Sequence, residues 1–475
     1  MCTIHASIQQ RGFPSVKEAL CTANIPFSEN DDTAILVWLD SLKEGDKVFQ
    51  RLKPYQVINR IPYMNVLCRK APLARIIQRI TPYFPNLFNF MPKSYILPFK
   101  NKQLVRALSR DNCCYIIKPD NGSLGQGITI VEPNTEYEPD DTVSVAQQYI
   151  DSFLIDNTKF DLRIYALVTS VNPLTIYVYH GGLARFCSEK FGGDTIYSKL
   201  TNVAINHNSQ LLDRVFKKMK DEYKIDTDLL WEKIDNSIAL TIISSASFIQ
   251  KGVEWQCSTK NFQNTNNDNI INKYINEINA NYVSDNDYNR DAVKDLNNDT
   301  INCDTSNFSN RSVIDLQKSI QNDDPKYSYT YSRCFQILGF DILLDKSLNP
   351  YVLEVNYRPS LDTHSGEERR MKVDMIRSAI LIGAPLHLAQ YALSSRKWAW
   401  TKESWEEFLE NTPEILISAQ ESLNNAVKNS KYKLVWPSDD PEKKIWKDVY
   451  EKAMELPLEQ MPGISLPHII DQPNL

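Results

Sequence analysis

Two carboxylates set against each other are the sharpest chemical signal in this chain. The segment FDILLDKSLNPYVLEVN, from Phe340 to Asn356, reads as two strands joined by a short loop, with Asn349 and Pro350 as punctuation. If Lys346 to Asn349 form that loop, Asp345 pairs with Pro350, and counting outward sets Asp341 opposite Glu354. Like charges in that position destabilise a ladder, so a cation between them is the natural resolution. Asn356 lies two residues beyond Glu354 on the same face and adds a neutral oxygen. So small a set of hard oxygen ligands suits Mg²⁺ carrying nucleotide phosphates. A solvated edge hairpin is the alternative, against which the apolar Ile342, Leu343, Val352, Leu353 and Val355 argue for burial.

Two further stretches could act on the same chemistry. In KFDLRIY, a two-residue period puts Lys159, Asp161, Arg163 and Tyr165 on one face and the apolar residues, Phe160 among them, on the other. Three successive charges on one face are what a site handling phosphate and carboxylate needs, although a half-exposed strand shows the same alternation. KPDNGSLGQGI, from Lys118 to Ile128, is glycine-rich and runs into ITIVE, which favours a strand. A Walker loop or a dinucleotide fingerprint must instead run into a helix. A β-hairpin with a Gly122, Gly125, Gly127 tip would let backbone amides fold over a triphosphate while Lys118 neutralises it; an ordinary hairpin fits the same residues. Arg185, in LARF, follows what reads as a Gly181-Gly182 turn, and LTNVAIN, from Leu200 to Asn206, as a strand or turn. The six histidines show no ligand spacing and no triad, so nothing points to zinc or serine-type catalysis.

The elements that must position these residues are partly visible. AILVWL, residues 34 to 39, has the look of a buried strand, and from Val57 a short connector leads into helical periodicity. Residues 1–100 are expected to form a small N-terminal α/β domain. From Tyr115 the runs YIIKP, ITIVEP, VSVAQQYI, FDLRIYALVTS and LTIYVYH predict a sheet-rich nucleotide-binding middle. Helical spacing returns between Leu211 and Gln250. The tract from about 261 to 324 is crowded with Asn and Asp, and holds too little apolar surface to offset its ordering entropy, so a disordered insertion is expected. SGEERRMKVDMIRSAILIG reads as a helix with acids early and bases later. The tail, residues 391–475, is expected to be a helical extension that packs on the main body.

Composition sets outer bounds. A chain of 475 residues with 42% hydrophobic content can bury a large core and two or three domains. It has no run of about 18 apolar residues and opens without a signal-like stretch, so a soluble intracellular protein with no membrane contact is expected. Nine scattered cysteines without C-x-x-C spacing fit reduced thiols. A net charge of −6 argues against a general nucleic-acid binder. Between Arg51 and Lys118, however, thirteen Lys or Arg face one acid, Asp111. That run is either a solvated basic face or, with Tyr55, Pro62, Tyr63, Tyr83 and Phe84 interleaved, a docking surface for an acidic partner.

Taken in order, Lys-Pro-Asp with GQGI, QQYI, KFDLRIYALVTS, GLARF, LTNVAIN and GFDILLD followed by LEVN resemble the tubulin-tyrosine-ligase-like family, and NRIPYMNVLCRKAPLAR resembles its stretch just upstream. The likeness spans roughly residues 35 to 390 and is nearest to the tubulin polyglutamylases. It implies an α/β (α+β) ATP-grasp fold, with a central domain at 101–182, a C-terminal domain at 183–390 and the N-terminal domain as a docking unit. It implies ATP and Mg²⁺ as cofactors. Lys118 and Lys159 would bind phosphates beside Gln126, Gly127, Phe160 and Asp161; Gln147, Gln148, Tyr149 and Ile150 would frame the adenine, with Thr201 and Asn202 near ATP. Arg163 and Glu354 would be catalytic, Asp341, Glu354 and Asn356 would hold the metal, and Arg185 and Tyr357 would meet the amino-acid substrate. The implied reaction adds an amino acid, glutamate foremost, to side-chain carboxylates of glutamates in acidic tubulin tails through an acyl phosphate. Tubulin or microtubules and free glutamate are the implied partners, and a monomer in the cytoplasm and cytoskeleton, cilium or flagellum included, is expected. Three positions depart from the family pattern: Gln126 stands for a usual Arg or Lys, Val203 for a usual Tyr, and Tyr357 where many glutamate-adding members have His. Glycine or tyrosine addition and a non-catalytic microtubule-binding relative are the competing readings.

Overall fold

The β-branched and aromatic runs in the middle of the chain form its longest strands. The computed structural model describes residues 5–8, 12–29, 34–40, 48–120, 122, 126–135, 137, 141–192, 208–257, 332–384, 386, 401–459 and 461. Thr158–Val171 and Leu174–Phe186 pair as an antiparallel hairpin. Gln336–Leu344 pairs with the other edge of Thr158–Val171, and Pro350–Asn356 pairs with Gln336–Leu344. Asn208–Leu211 and Tyr432–Trp436 pair with successive parts of Leu174–Phe186, and Leu154–Ile155 starts the edge of Thr158–Val171, completing a seven-stranded sheet.

Alternation along Thr158–Val171 explains why both faces of this sheet are covered. Phe160, Leu162, Ile164, Ala166 and Val168 bury in one core, which Thr227–Ile243 and Ala246–Cys257 cover. Tyr165 and Leu167 bury on the opposite face, in a second core with Gly366–Gly383. Lys159, Asp161 and Arg163 share the face of Tyr165, so the charges also sit under cover. Gly366–Gly383 has the expected early acids, and the Ser365 side chain caps its N-terminus by accepting from the Glu368 N–H.

A second, antiparallel sheet orders Ser94–Leu97, Ser144–Gln148, Tyr115–Pro119 and Thr129–Val131, with the helices Lys70–Ile80 and Asn101–Arg110 packed against it. The third is parallel and joins Phe27–Ser28, Ala6–Ile8, Leu36–Trp38 and Val57–Ile58. It is stitched to the central sheet where the Phe335 N–H donates to the Ile58 carbonyl at 3.0 Å. The tail supplies the helices Lys402–Asn411, Pro413–Lys428 and Ile445–Glu455, with Trp405 and Trp446 buried as anchors. It also supplies a strand, Tyr432–Trp436, where helix was expected, because the partner edge that pairs it lies some 250 residues upstream in sequence, beyond any local window. The Asn/Asp-rich tract lies outside the described residues. No described helix is long and apolar enough to cross a membrane.

Gly181 and Gly182 do not make a turn. Arg163 pairs with Leu183 and Tyr165 with Tyr179, so His180, Gly181 and Gly182 bulge opposite Ile164 alone within one continuous strand. Gly182 adopts φ 135°, and a Cβ there would sit 2.3 Å from the Arg163 carbonyl oxygen. Gly192, also at positive φ, has open space around it. Gly182→Ala is therefore expected to lower stability by at least about 3 kcal/mol, against about 1 kcal/mol for Gly192→Ala, as measured by urea unfolding.

Candidate active site

Strand register assembles the site. Asp161 stands opposite Arg185, Arg163 opposite Asp341, and Asp341 opposite Glu354, so a single charged row crosses four adjacent strands. The Asp341 and Glu354 pairing matches expectation, but the loop does not. Leu344, not Asp345, pairs with Pro350, and Leu353 bulges between the Ile342–Val352 and Asp341–Glu354 pairs. That bulge turns Val352 and Val355 both into the first core while leaving Glu354 and Asn356 in the row.

Arg185 donates from Nε and Nη2 to Asp161 at 2.6 and 2.7 Å, and its Nη2 lies 2.9 Å from Asp341. Arg163 grips Asp341 with two hydrogen bonds of 2.5 and 3.0 Å. Burial alone would raise the Asp341 carboxyl, but Arg163 and Arg185 outweigh it and hold the group well below the usual carboxylate range. Burial and then the facing Asp341 push the Glu354 carboxyl up. Of the two facing acids, Glu354 is thus the better proton holder. The row's own arginines thus relieve much of the repulsion that the sequence left to a metal. Asn356 Nδ2 lies 3.4 Å from both carboxylates. Turning that amide over presents its oxygen instead.

Two lysines border this row, Lys118 from the second sheet and Lys159 from the central one. Lys118 Nζ donates to Gln147 Oε1 at 2.9 Å, and Lys159 Nζ donates to the Tyr149 hydroxyl at 2.8 Å while sitting 4.0 Å above its ring. Both are buried, and among the described residues no carboxylate lies within ion-pair distance of either. Burial pulls each ammonium down to about 8. Cations stripped of water and left without an anion fit a phosphate chain. Gln148, Tyr149 and Ile150 line a cleft of about 500 Å³ together with Asp345 and Tyr351. Gln126 and Gly127 are exposed on the hairpin, where Gly127 takes φ 71°.

Other expected residues lie elsewhere. Phe160 points away from the row and stacks on Phe186 in the core, centroids 5.3 Å apart. Tyr357 is half-buried below the Arg60 guanidinium, 5.7 Å from its ring centre. Thr201 and Asn202 lie outside the described residues. Nothing local marked Lys70, whose Nζ donates to the Gly122 carbonyl at 2.8 Å and stands 4.0 Å from Glu354. Beside it, Asp120 pairs with Arg69 and accepts from the Ala71 N–H at 2.8 Å, tying the glycine-rich hairpin to the start of the Lys70–Ile80 helix. Only the Lys-Pro-Asp string hinted at this acid; its partners lie some 50 residues away in sequence.

Among the described residues, no three His, Cys, Asp or Glu side chains converge as a metal cage. Asp341, Glu354 and Asn356 are nonetheless the oxygen set that suits a hard divalent ion, and the buried lysines suit its phosphates. Such an arrangement, held between two antiparallel sheets, is that of an ATP-grasp protein. The tubulin-tyrosine ligase family model matches residues 49–276 and 262–390. The tubulin polyglutamylase TTLL6 of Homo sapiens is 30% identical over 389 residues, covering 78% of this chain and 36% of that protein. Its Mus musculus counterpart is 32% identical over 389 residues, covering 78% and 39%. Tubulin polyglutamylase TTLL7 of Homo sapiens is 28% identical over 365 residues, covering 74% and 34%. The chain belongs to the tubulin-tyrosine ligase family. It spans little more than a third of the length of these curated relatives.

Burying Lys118 weighs on the native state in full below about pH 8, and the burden lifts as pH rises towards 10.5, where the unfolded lysine also loses its proton. Lys118→Met should raise stability at pH 7 by about 1–3 kcal/mol, and the gain should vanish by about pH 10.5 in urea titrations.

Proposed function

We propose that the chain is an ATP-dependent carboxylate-amine ligase that adds glutamate to glutamate side chains in acidic tubulin tails. The relatives named tubulin polyglutamylase support the donor and the substrate. The observation that carries the reaction class is the pair of buried lysines, without an ion-pair partner among the described residues, beside the opposed Asp341 and Glu354.

A carboxylate is a poor electrophile. Transfer of the γ-phosphoryl group to a carboxylate oxygen of the acceptor gives an acyl phosphate and ADP. The donor amine then attacks the carbonyl carbon, phosphate leaves with the electrons of the C–O bond, and the nitrogen gives up a proton. In this reading Lys118 and Lys159 hold phosphate oxygens, Gln147 to Ile150 frame the base, and Gln126 and Gly127 cover the triphosphate. Arg163 faces the charge that develops on the transferred group and on the tetrahedral centre. Magnesium, when bound, neutralises phosphate oxygens, and Asp341, Glu354 and Asn356 are the residues that would hold it. Outside the cleft, the Asn101–Arg110 helix exposes Lys102, Arg106 and Arg110, which suits the approach of an acidic tail in the cytoplasm or along the cytoskeleton, cilium or flagellum included.

Incubation with ATP, magnesium, microtubules and labelled glutamate, glycine or tyrosine tests the proposal. Glutamate should be incorporated, and Glu354→Gln should reduce the rate at least about 100-fold. Glycine or tyrosine incorporated alone would overturn the donor, and no incorporation of any of the three would sink the ligase.

A further inference from the structure

The helix Lys70–Ile80 starts against its own dipole. Arg69 and Lys70 bring two cations to its N-terminus, its first turn holds no acid, and Arg69, at the N-cap position, supplies no side-chain acceptor. Pro72 brings no N–H, and the Leu73 N–H is met by the Arg69 carbonyl at 3.0 Å. The acceptor that a capping residue normally provides comes instead from Asp120, 49 residues beyond Ala71, whose Oδ1 accepts the Ala71 N–H at 2.8 Å. Its Oδ2 pairs with the Arg69 guanidinium. Asp120 is 4% exposed, and its own N–H donates to the Val143 carbonyl at 3.1 Å, which fixes the carboxylate to the second sheet.

What this cap holds in place is Lys70. As the first residue of the helix, Lys70 donates to the Gly122 carbonyl at 2.8 Å and stands 4.0 Å from Glu354, so one ammonium joins the glycine-rich hairpin to the charged row. The base of that hairpin is tight: the Gly122 N–H donates to the Pro119 carbonyl at 3.1 Å, and a Cβ on Gly122 would meet the Pro119 and Gln126 carbonyl oxygens at 3.2 and 3.3 Å. A lysine on a flexible four-carbon stem is aimed only as well as its backbone is fixed. A strap that served stability alone would need no cation set against the helix dipole, and that local cost marks a residue placed for the site. We propose, on the ligase reading of this pocket, that Asp120 is a positioning residue: by capping the helix it aims Lys70 at the Gly122 carbonyl and Glu354, and so fixes the glycine-rich hairpin beside the row. The Arg69 ion pair neutralises the buried carboxylate but does not direct Lys70.

Calorimetric titration of the full chain with a non-hydrolysable ATP analogue and magnesium measures this directly. Asp120→Ala should weaken the analogue at least about 10-fold, whereas Asp120→Asn, which keeps an acceptor for the Ala71 N–H, should weaken it by no more than about 3-fold. Arg69→Gln keeps the cap, and should lower stability in urea unfolding yet leave the analogue's affinity within about two-fold of native. In a Lys70→Met background the Asp120→Ala loss should disappear, because the cap then has no ammonium to aim. Should Asp120→Ala fail to fold, Asp120→Glu, which keeps the charge but moves the acceptor by one methylene, should weaken the analogue more than Asp120→Asn does. Native affinity in a folded Asp120→Ala, additive losses with Lys70→Met, or the reverse order of the Glu and Asn variants overturns the positioning role. Glutamate incorporation that is indifferent to Asp120 removes that role alone. Asp120-dependent analogue binding in a chain that incorporates none of glutamate, glycine and tyrosine removes the ligase reading alone.

Discussion

Asp341 is a buried carboxylate kept ionised by two arginines, and the rest of the site follows from that constraint. Burial, and then the negative charge on Asp341, raises the neighbouring Glu354 carboxyl above its ordinary range. Removing either arginine would leave an uncompensated buried charge, which is why Asp161 in turn holds Arg185 from its far side. The row is a chain of mutual neutralisation across four strands, and its exposed end is Glu354, beside Lys70 and the glycine-rich hairpin.

Such a row tolerates no slip in register, and two bulges maintain it. His180 to Gly182 absorb the mismatch that aims Arg185 at Asp161, and Leu353 absorbs the one that aims Glu354 at Asp341. Each bulge lets a strand keep its apolar side chains in the core on one stretch and its charges in the site on the next. Lys118 and Lys159 are the opposite case. Among the described residues neither has a carboxylate within ion-pair distance and burial lowers both, so the fold carries a burden that an anionic ligand would relieve, as expected of a site kept for function rather than stability.

The basic run between Arg51 and Lys118 shows how a linear charge count overstates a surface. Arg60 is buried, Arg69 serves Asp120, Arg75 and Arg79 clasp Glu459 from the tail, and Lys93 pairs with Asp111. Lys102 and Arg106 stay exposed on one helix, whose last residue, Arg110, shares Asp111 with Lys93. Charges in one stretch of sequence go inward or outward according to which strand or helix face carries them.

Local patterning in the sequence determined the strand runs, the helices after Leu211 and at Gly366–Gly383, the charged face of KFDLRIY and the opposition of Asp341 to Glu354. These are period-two and period-3.6 signals, or a count across one hairpin, and need no distant partner. Tertiary structure alone decided that Arg163 and Arg185 would neutralise Asp341, that Lys70 would reach Glu354, that Gly181 and Gly182 would bulge rather than turn, and that YKLVW would join a sheet. Each depends on pairing between segments that are far apart in the chain. Local sequence carries no record of such pairing, because the free energy that selects it comes from burial and register across the whole sheet.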